Sequence, residues 1–243
     1  HNAARLLPKP PNPTLPGTSA LAAQLASPLA RLDWEAYVKS VKSSPYHNFK
    51  ARLGLLRECQ RMFASVSSFA DLSTFEWKAI AGVIGEKQKH EANLDQHDWG
   101  WFGSMKGMGD FANRIAEKDD AIAKALDAIP RHGEVSEAHY NQFRQEFLRA
   151  FKNSSRVGGV PTATRLLAMK RPDTFVCISK PNKDGLAEAL GFPKTVLELD
   201  NYWERVIEPI RMSPWYSSQR PLGADAELWD GRVAMLDAIY YRP

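Results

Sequence analysis

Residues 136–170 read as two helices that meet at a glycine hinge. Ser136 is a helix-capping residue type, and Tyr140, Phe143, Phe147 and Phe151 follow it at helical spacing. The run then reaches Val157-Gly158-Gly159-Val160-Pro161. Glycine tolerates backbone angles that other residues resist, so the pair ends one helix. Pro161 suits the first turn of the next, which is expected to run to about Lys170. A chain built around such a joint is expected to be mainly α, with at most short strands.

The rest of the sequence agrees. Asp33 can cap a short helix from Trp34. Phe49 to about Ser67 carries Leu53, Leu56, Cys59 and Met62 on one side. Ser73 with Glu76 is a capping-box pattern, opening a helix expected to reach about Lys87. Asp110 to Pro130 reads as one helix, and so do Asn182–Leu190, Thr195–Ile210 and Ala226–Tyr241. Thr174–Ile178 is the best strand candidate. Residues 1–16 carry five prolines, which forbid helix and favour an extended arm. The expected division is that arm, a helical part over 17–135 and a second over 136–243.

Charge is concentrated at the joint. Between Arg149 and Lys183 stand eight bases and one acid, Asp173, in a chain whose formal balance is +4. The remainder is therefore net negative. A one-sided patch around a glycine turn suits a polyphosphate, because backbone amides can approach the anion inside a focused positive field. Nucleic acid is the expected partner.

Composition excludes other classes. No apolar run nears the ~20 residues needed to span a bilayer. Cys59 and Cys177 are the only cysteines, too few for a disulfide framework, so a reducing, cytoplasmic setting is expected. His47, His90, His132 and His139 lack metal-ligand spacing, so neither metal nor cofactor is expected. A start at His1 is expected of a trimmed or processed chain, and no signal-peptide pattern is visible.

Val157-Gly158-Gly159-Val160, with Thr162 to Met169 after it, resembles the helix-hairpin-helix motif. Lys170-Arg171-Pro172 leads into a short extended run to Ser179, as in the DNA glycosylases that carry the motif. Over roughly residues 143–190 the chain resembles that superfamily. The resemblance implies a glycosylase-like helical bundle that binds DNA, flips a damaged or modified base and hydrolyses its N-glycosidic bond. It departs at three places. Pro161 replaces the last hairpin glycine. No lysine stands in the first turn after the hinge. Ser179 falls at or next to the family's catalytic aspartate. Base removal without efficient strand cleavage is therefore implied.

Breaking a glycosidic bond needs a carboxylate near a cationic sugar. Asp184 is the first candidate and Asp173 the second. Ser179 and Asn182 are candidates for placing water or a flipped nucleotide. Lys183 and Lys180 are candidates for a phosphate or, if desolvated, for an amine nucleophile. The plainer reading of Lys180–Asp184 is a solvated turn that caps a helix. DNA contacts are expected from Val157, Gly158, Gly159, Val160, Thr162, Arg165, Lys170, Arg171 and Lys180. Trp99, Trp101 and Phe102, on a glycine-rich loop, are expected to line a base pocket. Their plainer reading is core packing beneath a loop. His97 and Asp98 just upstream form a weak acid–base candidate. Two alternatives stand beside the enzyme: a glycosylase-like DNA-binding module that has lost chemistry, and a nuclease or phage-defence subunit that needs a protein partner.

Overall fold

The computed structural model describes residues 27–46 and 48–243. The proline-rich segment 1–16 lies outside them. Among the described residues there are twelve α-helices and no strand, so the protein is mainly helical. They are α1 (Trp34–Lys42), α2 (Phe49–Ala64), α3 (Thr74–Ala81), α4 (Glu86–Glu91), α5 (Gly109–Ala116), α6 (Asp120–Asp127), α7 (Glu137–Arg149), α8 (Val160–Lys170), α9 (Lys180–Leu190), α10 (Glu208–Arg211), α11 (Ala226–Asp230) and α12 (Leu236–Tyr240).

Capping chemistry sets many of the starts. Asp33 accepts from the Ala36 amide at 2.8 Å, and Asn48 from Ala51 at 3.2 Å. Ser73 and Glu76 form the reciprocal capping box that opens α3. Ser136 accepts from His139 at 3.3 Å to open α7.

Four expected elements are broken, each for a local reason. α3 stops at Ala81 because Gly82 turns left-handed at φ 72°, and the Val83 amide closes back onto Lys78. The helix expected over 110–130 becomes α5 and α6. Lys118 between them takes φ 53°, and Asp119 recaps the chain by accepting from Ala121 at 2.8 Å. The helix expected over 195–210 is a 3-10 turn at Lys194–Val196, then a π turn at Trp203–Ile207 that passes into α10. Pro209 has no N–H for the Arg205 carbonyl, and the wider turn accommodates that loss. The C-terminal helix breaks after Gly231, where the Val233 and Ala234 amides both turn to the Pro172 carbonyl.

Thr174–Ile178 is buried but forms no strand. Side chains satisfy its backbone instead of a neighbouring strand. Tyr202 Oη accepts from the Val176 amide at 3.2 Å and donates to the Val176 carbonyl at 2.7 Å. Thr164 Oγ1 accepts from Ile178 at 3.0 Å, and Asn182 Nδ2 donates to the Cys177 carbonyl at 2.8 Å. A single segment thus crosses the interior with the Val176 amide and carbonyl, the Ile178 amide and the Cys177 carbonyl paired to side chains.

One hydrophobic core runs from Leu29 to Ala238, across the boundary expected near residue 135. α8 is buried along its length and packs on α2, α3 and α6, while α12 packs on α1 and α9. Gly158 is needed for close approach. A Cβ there would lie 2.7 Å from a Phe151 ring atom and 2.8 Å from Phe147. Both rings are locked in the core, so Gly158→Ala should cost about 1–3 kcal/mol, read as a lower urea midpoint.

Cys59 and Cys177 are buried free thiols, and burial pushes both up to about 12. Unfolded thiols titrate near about 8.5. Between those values the unfolded chain has lost protons that the folded chain keeps. Stability from this source is therefore complete below the unfolded value and falls as pH rises. A Cys59→Ala, Cys177→Ala double variant should show a shallower decline of urea midpoint above about pH 9. An equal slope would refute the assignment.

Candidate nucleic-acid interface

The glycine-rich loop is held from below by Arg165. This side chain is fully buried on α8. Its Nε donates to the Ile80 carbonyl at 2.9 Å, and Nη2 donates to Ala79 at 3.2 Å and Trp99 at 3.0 Å. Nη1 donates to the Trp101 and Gly103 carbonyls. Between those two carbonyls sits Phe102, whose φ of 65° is rare for a bulky residue. The guanidinium thus pins a strained turn from both flanks. Burial pulls Arg165 below the ordinary arginine range, since only carbonyl dipoles surround the charge directly.

The loop packs against the segment that precedes α9. A Cβ on Gly103 would lie 3.2 Å from Cys177 Sγ and 3.4 Å from Ser179 Cβ. This contact closes one side of a cleft of about 480 Å³. Its walls include Asp98, Trp101 and Phe102 from the loop, Pro161 from the hinge, and Ser179 and Lys180 from the start of α9. Asp98 is exposed, and its Oδ1 accepts from the Gly100 amide at 2.9 Å.

Beneath the cleft lies a buried polar chain. Arg52 on α2 pairs with Asp237 on α12, both 1% exposed. Asp237 also accepts from Asn182 Nδ2, and Asn182 Oδ1 accepts from the Ser179 amide at 2.9 Å. The Arg52 guanidinium stacks 4.4 Å from the Trp101 ring and 5.0 Å from Phe102. Burial pulls Arg52 down, and Asp237 opposes that pull.

The sequence reading missed both Arg52 and Asp237, although each left a signal. Arg52 stands in register with the apolar stripe of α2. Asp237 follows Leu236 on the stripe expected to pack inward. A base and an acid on two apolar faces are expected to meet, since neither charge is stable there alone.

The structure redistributes the expected DNA contacts. Arg165, Lys170 and Arg171 are buried and turned inward. Lys170 Nζ donates to the Leu126 carbonyl at 2.5 Å, and burial lowers its pKa to about 8. Arg171 grips Asp173 with two bonds of 2.8 and 2.7 Å, and donates to the Pro130 and Gly133 carbonyls. These bases tie α8 to its neighbours and leave no charge at the surface for a phosphate. Asp173 is held by Arg171 and lines none of the three clefts that the hinge borders. Thr162 is also buried, its hydroxyl donating to the Gly159 carbonyl at 2.9 Å. Arg149 is paired with Glu146 and Asp120.

Of the eight bases, Lys152, Arg156, Lys180 and Lys183 remain at the surface without an ion pair among the described residues. They flank the hinge. Val157 is 59% exposed at its tip, while Gly158 is packed on the two phenylalanines. Gly159 caps α8 at an exposed position, and Val160 is half-buried. A small cleft beside Arg156 to Gly159 faces Gly107–Asp110 of the loop. A second, of about 430 Å³, is lined by Val160, Pro161, Ser179, Lys180, Lys183 and Asp184. Asp184 is paired there with Lys194 at 3.0 Å.

The remaining candidates separate. Trp99 is a core residue, its Nε1 donating to the Leu94 carbonyl at 2.7 Å. Phe102 is buried at the cleft floor, and Trp101 is half-buried on its wall. Asn182 is fully buried within the polar chain, so it cannot reach a nucleotide. Ser179 and Lys180 border both the cleft at Trp101 and the cleft at Lys183. Among the described residues no group of His, Cys, Asp and Glu could hold a metal, and no helix is long and apolar enough to cross a membrane. No protein-family model, curated protein or solved structure matches the chain.

Proposed function

We propose that this protein binds DNA, draws an unstacked base into the cleft beside Trp101, and hydrolyses its N-glycosidic bond. The observation that carries the reading is the meeting of Asp98, Trp101 and Ser179 on one cleft that also touches the hinge at Pro161. A base stacks on an aromatic face at about 1–3 kcal/mol per base, whatever its sequence. The surface bases Lys152, Arg156, Lys180 and Lys183 meet the backbone. Asp98 replaces Asp184 as the favoured carboxylate, because it shares the cleft with the aromatic wall. As the bond from base to C1′ breaks, its electron pair leaves with the base and the sugar becomes cationic. Asp98 stabilises that cation and orients a water, whose oxygen bonds to C1′ and whose proton passes through solvent to the nitrogen of the departing base. The products are a free base and an abasic site.

The test is purified protein on duplexes that each carry one damaged or modified base. Alkali-labile abasic product is expected, without direct strand scission. Asp98→Asn should lower the rate by about 10²-fold or more while leaving duplex affinity unchanged. An unaffected rate would remove Asp98 from the mechanism.

One observation favours a second reading, a DNA-binding module without chemistry: the serine at position 179, where the resemblance expects aspartate. Binding without turnover across the panel, by wild type and by Ser179→Asp, would establish it.

Both readings share a salt prediction. Arg156→Gln or Lys180→Gln should each reduce the slope of log affinity against log salt by about 0.9, one phosphate contact. Lys170→Gln should leave that slope unchanged, because its ammonium is held on the Leu126 carbonyl. The reverse pattern would overturn the assignment of the surface patch.

A further inference from the structure

The start of α9 has an unusual cap. An N-cap serine ordinarily takes an amide from the first turn with its hydroxyl. Here that role is reversed. The Asn182 side chain accepts the Ser179 amide at 2.9 Å, and the Asn182 and Lys183 amides both go to the Ser179 carbonyl. The second helical residue is Pro181, which has no amide to offer. The Ser179 hydroxyl is therefore left over. Ser179 is 7% exposed, borders both the cleft at Trp101 and the cleft at Lys183, and makes no side-chain hydrogen bond among the described residues.

Three other features converge there. α9 is 11 residues long, so its N-terminus carries a full helix-end partial positive charge. Among the described residues Lys180 and Lys183 line the same cleft without ion pairs, and Asp184 beside them is paired with Lys194. The hinge closes the far side through Val160 and Pro161. An uncommitted hydroxyl donor on a largely buried serine, a helix N-terminus and two ammonium groups make a site for a tetrahedral oxyanion.

We infer that Ser179, Lys180 and Lys183 form a phosphate-binding subsite at the start of α9, between the base cleft and the hinge. The inference rests on the DNA reading for its natural occupant, the phosphodiester beside the unstacked nucleotide. The chemistry is shared by the phosphate of a free nucleotide. On this view Ser179 is a binding residue, and the serine at the expected aspartate position exchanges a negative group for a phosphate donor.

The test uses the full chain and two probes. The first is a fluorescent duplex with a central tetrahydrofuran abasic analogue, made with ordinary linkages or with methylphosphonates on both sides of that analogue. For wild type, the neutral linkages should weaken binding about tenfold or more. Ser179→Ala should weaken binding to the ordinary duplex by about tenfold, and should lose little further on the methylphosphonate duplex. Losses that multiply, or a Ser179→Ala variant that binds as wild type does, would overturn the subsite. Since the hydroxyl holds nothing inside the protein, Ser179→Ala should melt as wild type does, and Lys183→Gln offers a second variant on the same cycle.

The second probe is a nucleoside 5′-monophosphate, titrated by calorimetry against wild type and Ser179→Ala. If wild type ignores the duplex yet binds the monophosphate through Ser179, the DNA reading fails and the phosphate site stands, with a free nucleotide as its source. If wild type binds neither probe, or binds them independently of Ser179 and Lys183, the site is refuted.

Discussion

Asp237→Ala should destabilise the protein by about 3–5 kcal/mol, the usual cost of leaving one member of a buried ion pair alone. Arg52 would keep its ring contacts with Trp101 and Phe102 but lose the carboxylate that opposes the cost of its burial. Asn182 would also lose the carboxylate that orients its amide. Its other bonds hold the Cys177 carbonyl and the Ser179 amide, so the disturbance should spread into the start of α9. Urea unfolding measures the loss, and a change under about 1 kcal/mol would contradict the role given to the pair. An Arg52→Met, Asp237→Leu double variant should recover much of it, because two apolar groups leave no stranded charge.

Arg165→Met should cost a similar amount, about 3–5 kcal/mol, for a different reason. No partner charge is stranded. Instead the carbonyls of Ala79, Ile80, Trp99, Trp101 and Gly103 lose their common donor inside the protein. Phe102 would then keep its left-handed backbone without the clamp on either flank, a conformation that costs about 1–3 kcal/mol. The expected response is local as well as global. Amide exchange should accelerate over residues 99–105 before it does in α8, and Trp101 fluorescence should shift. Arg165→Lys should fall between, since one ammonium cannot reach five carbonyls in fixed directions. Unchanged exchange in the loop would show that something else holds it.

The helical character was legible because apolar spacing and caps agree: Ser73 with Glu76, Ser136 before Tyr140, Pro161 after the hinge. The breaks were less legible. Lys118 adopts a left-handed angle that nothing in its side chain announces, and Gly231 ends α11 through contacts that Pro172 supplies from far along the chain. The site divides in the same way. Its loop and the start of α9 were picked out by unusual residues, and the fold does bring them to one cleft. The basic run misled through charge counting alone. Arg165, Lys170 and Arg171 look like surface cations in one dimension, yet each meets inward-facing carbonyls that only the folded helices present. Asp98 stands out little in the sequence, because one carboxylate beside a histidine is ordinary. Its place opposite Ser179 depends on a loop turn fixed by α8.

That turn has a thermodynamic consequence. The segment from Trp99 to Met105 is fastened at four carbonyl and amide points, counting the Met105 amide on the Gly82 carbonyl at 2.9 Å. Its backbone entropy, about 1–2 kcal/mol per residue, is surrendered when the chain folds. None of it is left to lose when a guest arrives. Association of a free nucleotide at the cleft should therefore proceed in a single kinetic phase, with a heat-capacity change set by the apolar area covered rather than by a loop becoming ordered.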